Sequence, residues 1–511
     1  MRREPARLGE RVFDLLVVGG GIYGAWIAYD AALRGLSVAI VERDDWGSGT
    51  SSASSKLIHG GLRYLEHGHL GLVAKALRER ARLLRLAPHR VWPLRFILPV
   101  YSDSRAGRGA LMAGLTLYDW LAGGHPGLPA HRHLAVDDLA ESAPWLTAVG
   151  LRGAFLYGDA GTDDARFTLE IVAGALAHGV VAVNHAPAST LLRSADGTVN
   201  GAQVRDAITG TDYEVRARCT VVAAGPWASR LAGCDPGPLR FSKGVHLVLP
   251  PLPGPRDRAV LLTAGSDRRV FFLIPWYGAT LVGTTDQEFH GDPDDVRVED
   301  ADIDYLLGET TRRCPGLGWT RADIRSSFAG VRTLQAGTAA QVGAATREWT
   351  LVEPSPGMLV PIGGKFTSAR MEAGRTVDRV ASLLGRSVPR CPTTLRRFPW
   401  SPSVPWCDWF PATVREGCRL GLDAETSATC ARRYGTTISE VFARLARDAS
   451  MATRCHPVAP FCRAELTHAV EAEMAISRSD VLRRRLPLEI LLPPHALAQI
   501  EFPRVVPEIG G

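Results

Sequence analysis

The first forty residues alternate between apolar runs and short polar breaks, and this pattern predicts a strand, a helix and a second strand. Phe13 to Val18 (FDLLVV) is a short apolar run, which is typical of a buried strand. Apolar residues then continue through Leu33 in a helical run, and Ser37 to Val41 (SVAIV) predicts the next strand. A strand, a helix and a strand in this order indicate an α/β fold with a parallel sheet.

Glycines occupy the junction between the first strand and the helix. Gly19, Gly21 and Gly24 form the pattern G-x-G-x-x-G, and Glu42 follows the second strand about twenty residues further on. Such glycines let a pyrophosphate approach the helix N-terminus, and an acidic residue at that distance accepts a hydrogen bond from an adenosine ribose. We therefore predict a dinucleotide site here, and this unit alone leaves NAD and FAD open.

Three further segments stand out by their patterns. Cys219 to Gly225 (CTVVAAG) predicts a buried strand that ends in small residues at the carboxyl edge of the sheet, where open α/β folds bind cofactors. Pro361 to Thr367 (PIGGKFT) ends a strand and opens a helix, whose dipole and glycine amides stabilise negative charge. Ala110 to Ala122 (ALMAGLTLYDWLA) predicts a short helix preceded by Arg105 and Arg108. The sequence alone leaves open whether this helix lies on a lipid surface or is partly buried in the core.

Composition narrows the class of protein. The length of 511 residues predicts about three domains. Apolar residues make up 46% and charged residues 22%, with a mean hydropathy of −0.00, and this balance is typical of ordinary folded domains. A net charge of +6 and a pI near 8.9 fit an anionic substrate or an anionic membrane surface better than nucleic acid. The N-terminus lacks the apolar core of a secretory signal, and no stretch approaches the roughly 18 to 20 apolar residues that span a bilayer.

The nine cysteines do not form a recognisable framework. They include no C-x-x-C pair and none of the spacings of zinc ligands, so we predict a reducing compartment, no disulfide scaffold and no metal site. Six of them fall in the last quarter of the chain, namely Cys391, Cys407, Cys418, Cys430, Cys455 and Cys462.

The hydroxyl-rich block GTSSASSKLIHGGLRYLEHG, which begins at Gly49, closely resembles a signature of the FAD-dependent glycerol-3-phosphate dehydrogenases, the aerobic, quinone-linked family. The resemblance covers nearly the whole chain. Further segments agree with it in order along the chain, namely AAGPWAS at 223–229, KGVHLVLP at 243–250, FFLIPWYGATLVGTTDQEF at 271–289, FAGVRTLQ at 328–335, TREWTL at 346–351 and GGKFTSAR at 363–370.

The resemblance implies an α/β fold of three parts. A doubly wound FAD-binding domain, of the glutathione-reductase and amino-acid-oxidase type, is interleaved with an antiparallel-sheet substrate domain, and a helical domain follows a Pro- and Trp-rich linker at 398–410. The implied segments are 1–75, 152–235 and 331–390 for the FAD-binding domain, 76–151 and 236–330 for the substrate-binding domain, and 391–511 for the helical C-terminal domain.

The resemblance also implies an activity. It is the FAD-dependent oxidation of sn-glycerol 3-phosphate to dihydroxyacetone phosphate, with hydride passing from C2 to flavin N5 and electrons passing to a membrane quinone. The enzyme is then expected in the cytoplasm, held peripherally on the anionic inner face of the cytoplasmic membrane. An oxidase that passes electrons from glycerol 3-phosphate or a related hydroxy or amino acid to oxygen remains an alternative, as does a non-catalytic dinucleotide-binding protein. The oligomeric state stays open, a homodimer included.

Cofactor contacts are carried over from the resemblance position by position. Hydroxyls and exposed backbone amides suit the phosphates of FAD and the edge of its flavin ring. The predicted cofactor-binding residues are Gly19, Gly21, Gly24, Glu42, Thr50, Ser51, Ser52, Ser55, Lys56, Gly60, Gly225, Gly363, Gly364 and Lys365.

Substrate contacts follow from the charge of a phosphate, which needs paired, hydrogen-bonded cations when it is held away from water. Arg347 and Lys365 are predicted mainly for the phosphate. Two departures from the family pattern put the geometry of the pocket in doubt, since Thr333 stands where proline is expected and Glu348 where aspartate is expected. The full predicted substrate-binding set is Arg63, Tyr64, His246, Thr285, Arg332, Arg347 and Lys365.

Three residues of that set are predicted to be catalytic. His246 is the leading candidate for the base that removes the proton of the C2 hydroxyl, because an imidazole with a pKa of roughly 6.5 suits this at neutral pH. Arg332 is expected to stabilise the developing alkoxide, and Arg63 to line the pocket beside the flavin.

Overall fold

Two large β-sheets with helices packed around them organise the chain, and the computed structural model describes residues 1–66, 68–124, 127–231, 233–335 and 348–502. The strands are Phe13–Val18 (β1), Val38–Val41 (β2), Leu57–Ile58 (β3), Val91–Tyr101 (β4), Arg132–Leu134 (β5), Leu151–Thr162 (β6), Val181–Val183 (β7), Ala188–Arg193 (β8), Val199–Arg205 (β9), Asp212–Val222 (β10), Leu239–Leu249 (β11), Arg258–Thr263 (β12), Val270–Trp276 (β13), Ala279–Gly283 (β14), Gln287–Phe289 (β15), Ser326–Gln335 (β16), Thr350–Ser355 (β17), Met358–Ile362 (β18), Arg454–His456 (β19) and Ala459–Cys462 (β20). The helices are Ile22–Leu33 (α1), Arg63–Glu66 (α2), Leu70–Leu86 (α3), Arg108–Ala122 (α4), Val136–Ser142 (α5), Asp164–Ala177 (α6), Asp300–Arg313 (α7), Ala369–Leu383 (α8), Trp406–Arg419 (α9), Ala424–Tyr434 (α10), Ile438–Arg447 (α11), Arg463–Ala472 (α12), Leu488–Leu491 (α13) and Pro494–Leu497 (α14).

The first sheet has a parallel centre in the strand order β18-β10-β1-β2-β7. Every residue of β1 is buried, because both faces of this sheet are covered. Leu15 and Val17 pack on one face against α1, α6 and α8, whereas Leu16 and Val18 pack on the other face against the antiparallel layer of β8, β9 and β10. The carboxyl ends of β1, β2 and β10 therefore meet at one open edge.

The second sheet is antiparallel apart from the parallel pair of β4 and β12. Strand β11 lies between β14 and the long strand β16, in a register that pairs His246 with Phe328 and Ser242 with Arg332. Strands β3 and β6 also belong to this sheet, and β3 and most of β6 lie in segments that the sequence analysis assigned to the FAD-binding domain. The division into segments stays a prediction.

The C-terminal domain consists mainly of α9 to α12 around a small core that includes Tyr434, Ile438 and Val441. It also holds the hairpin of β19 and β20, which the sequence did not predict. The linker predicted at 398–410 is shorter than expected, because α9 begins at Trp406.

Most elements predicted from the N-terminal pattern agree with the structure. The first strand has the predicted bounds, and the helix predicted from Ala110 begins two residues earlier, at Arg108. The strand predicted from Cys219 is the end of the longer strand β10. Within the described residues, no helix is long and apolar enough to cross a bilayer.

Candidate active site

A cavity of about 660 Å³ lies at the open edge of the first sheet and extends towards β16 of the second sheet. Its volume is in the range of pockets that hold cofactors. One end lies at Glu42, Arg43 and Asp44, after β2. The other end lies between the hydroxyl-rich loop, Tyr64 and Arg332.

The N-terminus of α1 faces the middle of this cavity, in a backbone that glycine makes possible. Gly19 has a φ of +111°, and a Cβ there would lie 2.6 Å from the carbonyl oxygen of Ala223. Gly24 does not line the cavity but packs against the turn, because a Cβ there would lie 1.8 Å from the carbonyl oxygen of Gly19. The Ile22 amide donates to Ser51 Oγ at 2.8 Å. The exposed amides and the helix dipole make this the natural place for a pyrophosphate.

Glu42 lies at the predicted position for a ribose. Its carboxylate accepts hydrogen bonds from the Gly20 amide at 2.6 Å and from the Asp44 amide at 3.0 Å. Burial raises the pKa of Glu42, and these two backbone hydrogen bonds oppose the rise. The carboxylate is thus held in place before any ligand arrives.

The predicted hydroxyl-rich loop divides into residues on the wall and residues behind it. Thr50, Ser51, Ser52 and Ser55 line the cavity. Lys56 is buried behind the loop, where Nζ donates to Asp164 Oδ1 at 2.7 Å and to the Ser52 carbonyl at 2.5 Å. Gly60 is also behind the wall, with its Cβ direction blocked by Leu77 and Tyr118. Both residues therefore support the loop from behind, and neither lines the cavity.

A cationic and aromatic pair closes the far end of the cavity. Lys365 Nζ lies 3.7 Å from the centre of the Tyr64 ring, which is a cation–π contact. Gly363 and Gly364 precede this lysine with φ values of +72° and +86°, and all three line the cavity together with Gly225. The space around the Cβ direction of Gly225 is open, so a side chain there would protrude towards a ligand.

Arg332 reaches the cavity by crossing a neighbouring strand. Its Nη2 donates to Thr284 Oγ1 at 2.8 Å, and its Nη1 lies 3.5 Å from Asp286 Oδ1. The guanidinium passes over Gly244 of β11, where a Cβ would lie 2.3 Å from Nη2. Gly244 is therefore required for this arginine to face the cavity, a role that the sequence analysis missed.

His246 is buried directly behind Ser55. Its Nε2 lies 2.9 Å from Ser55 Oγ, and its ring stacks on Phe328 with centres 4.9 Å apart. Burial first, and then the nearby charges of Arg332 and Lys56, lower the pKa of His246 to about 3. The imidazole is neutral at physiological pH, as predicted, but it reaches the cavity through the Ser55 hydroxyl.

The remaining predicted substrate residues are placed differently from the expectation or lie outside the description. Thr285 is buried and accepts a hydrogen bond from the Val245 amide at 3.0 Å, whereas its neighbour Thr284 lines the cavity. Arg347 lies outside the described residues, and the side chain of Arg63 is outside them as well.

A cluster of ion pairs around Asp294, which the sequence did not reveal and which we call the latch, crosses the cavity at the Glu42 end. Asp294 accepts from Trp227 Nε1 at 2.7 Å and from Arg43 Nη2 at 3.0 Å, and it also pairs with Arg230. All four residues line the cavity. Burial favours a higher pKa for Asp294, but the hydrogen bonds from Arg43, Arg230 and Trp227 outweigh it and lower the pKa to about 2. The latch joins elements that are far apart in sequence, which explains why no local motif reports it.

A group of potential metal ligands lies in the C-terminal domain. Cys430 and Cys462 are buried next to Glu465. The carboxylate of Glu465 already pairs with Arg433 at 2.6 Å. A hydrogen bond with Cys462 and burial raise the pKa of Cys430, which favours the protonated thiol in this structure.

The fold and the cavity fit FAD. A helix N-terminus, a ribose-binding carboxylate and a long cavity that ends at cations of a second sheet define a flavin-dependent oxidoreductase. The family model described as FAD dependent oxidoreductase matches residues 14–368, and the model described as the C-terminal domain of alpha-glycerophosphate oxidase matches residues 404–505.

Known proteins agree over almost the full length. The chain is 34% identical to the glycerol-3-phosphate dehydrogenase of Synechocystis sp., over 95% of this chain and 90% of that protein. It is 36% identical to glycerol-3-phosphate dehydrogenase 2 of Mycobacterium bovis, over 95% of this chain and 83% of that protein. The crystal structure of the Bacillus halodurans glycerol-3-phosphate dehydrogenase complexed with FAD superposes with a TM-score of 0.77 at 30% identity, covering 95% of this chain and 88% of that one. The chain therefore belongs to the family of FAD-dependent glycerol-3-phosphate dehydrogenases.

The latch is expected to slow the release of FAD. Asp294→Asn removes the charge that holds Arg43 and Arg230, and exposed pairs of this kind contribute about 1 kcal/mol, so FAD should dissociate about fivefold faster. Because the folded pKa of Asp294 is depressed, the effect of the charge is present at neutral pH and is lost only as the pH falls below 3.8 towards about 2. The measurement is the recovery of flavin fluorescence after dilution. Glu214→Gln, which removes an exposed pair with Arg216, should leave the release rate unchanged.

Proposed function

We propose that the protein oxidises sn-glycerol 3-phosphate to dihydroxyacetone phosphate and passes the electrons to a membrane quinone. The observation that carries the proposal is the set of cations at the far end of the cavity, Arg332 on one side and Lys365 over Tyr64 on the other. A dianionic phosphate requires such cations when it is held away from water. An amino or hydroxy acid presents only a singly charged carboxylate and so needs less positive charge than a phosphate does.

Different residues of the protein bind the substrate and remove its hydroxyl proton. FAD, held by the residues that line the main cavity, would supply the acceptor for the hydride that leaves C2 of the substrate. Lys365 holds the phosphate, and Arg332, fixed by Thr284, stabilises the negative charge that develops on the C2 oxygen. The proton of the C2 hydroxyl leaves through Ser55 Oγ to His246 Nε2, which is neutral at physiological pH. The depressed pKa makes this imidazole a weak base, which holds the proton only transiently.

The experiment that tests this activity is anaerobic reduction of the purified protein. Glycerol 3-phosphate should bleach the visible flavin absorbance without oxygen, whereas glycerol and L-proline, which lack the phosphate, should leave it unchanged. A colourless protein, or a flavin that only an amino acid bleaches, would contradict the proposal. Peroxide formation at the rate of substrate turnover in air would support an oxidase instead of a quinone-linked enzyme.

A second cavity of about 130 Å³ supports the choice of a quinone. It shares His59, Tyr64, Phe272 and Thr284 with the main cavity. Its apolar walls include Leu62, Phe96, Leu98, Leu111 and Val270, and charged residues also line it. It leads from the flavin end towards the beginning of α4, so an acceptor with an apolar part has a path from that helix to the site.

The exposed residues of helix α4 support the proposal that the protein binds a lipid surface. It buries Leu115 and Tyr118 in the protein, while Trp120, 76% exposed, and Met112, 38% exposed, face outward. Arg105 and Arg108 stand at its basic N-terminal end. Arginines at one end of the helix and an exposed aromatic residue near the other end suit a helix that lies along the boundary between lipid headgroups and acyl chains.

Trp120→Ser is expected to weaken binding to vesicles of anionic phospholipid about tenfold, because the indole contributes most of the apolar area that this helix exposes. Co-sedimentation with vesicles at low salt measures the effect. Val149→Ser, at an equally exposed apolar residue outside α4, serves as the control. Recovery of the wild type wholly in the soluble fraction, with no stimulation of activity by lipid, would exclude the membrane association.

A further inference from the structure

Three consecutive arginines of the C-terminal domain lie beside the cofactor cavity, and one of them differs from the others. Arg484 and Arg485 both pair with the buried carboxylate of Asp45, at 2.6 Å and 2.5 Å. Arg483 has no such anion. Among the residues that the structure describes, it makes no hydrogen bond and no ion pair, and it lines the cavity.

The position of Arg483 along the cavity follows from its neighbours. Its Cζ lies 5.6 Å from the centre of the Phe328 ring, which also stacks on His246. Lys56 Nζ approaches the same ring at 5.3 Å. The guanidinium is therefore beside the part of the loop that carries Ser55, at the end of the cavity opposite Glu42.

The guanidinium of Arg483 needs a hydrogen-bond acceptor in this position. Burial lowers the pKa of Arg483, and the more distant carboxylates of Glu489 and Asp164 only partly compensate. The side chain is half-buried, and its five N–H donors meet no acceptor among the described residues. A ligand of the cavity that presents oxygen or nitrogen acceptors would pair with them.

The shape of the cavity indicates which part of a bound dinucleotide lies beside Arg483. The ribose of a bound dinucleotide belongs at Glu42 and its pyrophosphate at the N-terminus of α1, near Ile22 and Ser51. The end at Ser55 is left for the flavin ring. The substrate cations Arg332 and Lys365 reach the cavity from other segments, β16 and the loop after β18.

We propose that Arg483 is a flavin-binding residue, contributed by the C-terminal domain, whose positive charge stabilises the reduced form of the cofactor. The proposal rests on FAD as the cofactor and does not depend on the identity of the substrate. Since the extra electrons of the reduced flavin carry negative charge, a nearby guanidinium favours reduction.

The test is the midpoint potential of the holoenzyme, measured by stepwise chemical reduction without substrate. Arg483→Met should make two-electron reduction about tenfold less favourable, which is a shift of about 30 mV to lower potential. Arg483→Lys, which keeps the charge, should retain most of the wild-type value. Arg478→Met, at an exposed arginine of the same segment that bonds the Leu497 carbonyl, should leave the potential unchanged.

Two outcomes would overturn the proposal. One is an unchanged potential in both Arg483→Met and Arg483→Gln variants that retain FAD. The other is an unchanged potential with a raised KM for glycerol 3-phosphate, which would assign the arginine to the substrate. Because the potential is measured without substrate, failure of glycerol 3-phosphate to reduce the enzyme would leave this result standing.

Discussion

Replacing Arg332 by methionine is expected to lower kcat/KM for glycerol 3-phosphate by about 10³-fold, with most of the loss in kcat. The guanidinium is fixed by Thr284 and lies over Gly244, so it is oriented before substrate binds. Methionine fills a similar volume but gives no charge to a developing alkoxide. Anaerobic stopped-flow reduction of the flavin measures the chemical step directly.

Two further variants test whether the loss of kcat/KM comes from the guanidinium of Arg332 itself. Arg332→Lys should recover only part of the rate, because an ammonium group does not reproduce the two-sided contact with Thr284 and the Asp286 carboxylate. Arg240→Met is the matched control, since this arginine pairs with Glu288 on the neighbouring strand and does not line the cavity. Flavin reduction in Arg332→Met at nearly the wild-type rate would remove Arg332 from the mechanism.

Replacing Asp45 by asparagine is expected to lower the free energy of unfolding by about 3 to 5 kcal/mol, because the buried Arg485 loses its anion and Arg484 keeps only its pair with Asp480. Burial alone would raise the pKa of Asp45, but Arg485 and Arg484 outweigh it and hold the pKa below its usual value. The carboxylate therefore contributes its stability at neutral pH, and the contribution is lost as the pH falls through the depressed pKa.

Denaturant unfolding at neutral pH, followed by tryptophan fluorescence, measures this loss. Asp300→Asn is the matched control, because Asp300 forms an exposed pair with Arg321 and should change the free energy by less than about 1 kcal/mol. A change of that small size in Asp45→Asn as well would show that the buried network does not hold the C-terminal domain in place.

The dinucleotide half of the site could be predicted closely from the sequence. Gly19, Gly21 and Glu42 belong to one continuous unit, in which the chemistry is set by residues that are near each other along the chain. The fold around them follows for the same reason, because a buried parallel strand, a helix and a second strand carry a strong local signal. The resemblance to a known family then extended this prediction to the second sheet and the C-terminal domain.

The arrangement around the substrate could not be predicted in the same way, because it depends on contacts between strands. His246 and Ser55 are distant in sequence, and only the fold shows that the histidine lies behind the serine. Gly244 and Gly283 look like ordinary strand residues, yet a Cβ at either position would collide with Arg332 or His246. The pKa of His246 depends on the same neighbours, so an ordinary histidine value overestimated its basicity.

Thr285 and Lys56 illustrate a related limit. Both lie within motifs that resemble the family signature, but the side chain of each is engaged by the protein, with the Val245 amide in one case and with Asp164 in the other. A motif reports which residues occur together along the chain. It does not report which of them points into the cavity, because the direction of a side chain depends on the local backbone, as at Lys56, whose φ is +57°.

The contribution of Arg483 and Arg484 to the cavity wall also sets an order of events during biosynthesis. The wall is incomplete until the segment Asp480–Arg485 has been made, since both residues come from it. The nucleotide-binding unit around Glu42, by contrast, leaves the ribosome much earlier. A nascent chain that lacks this segment lacks the two arginines that pair with Asp45, so we expect firm capture of the flavin only after the segment has emerged and docked.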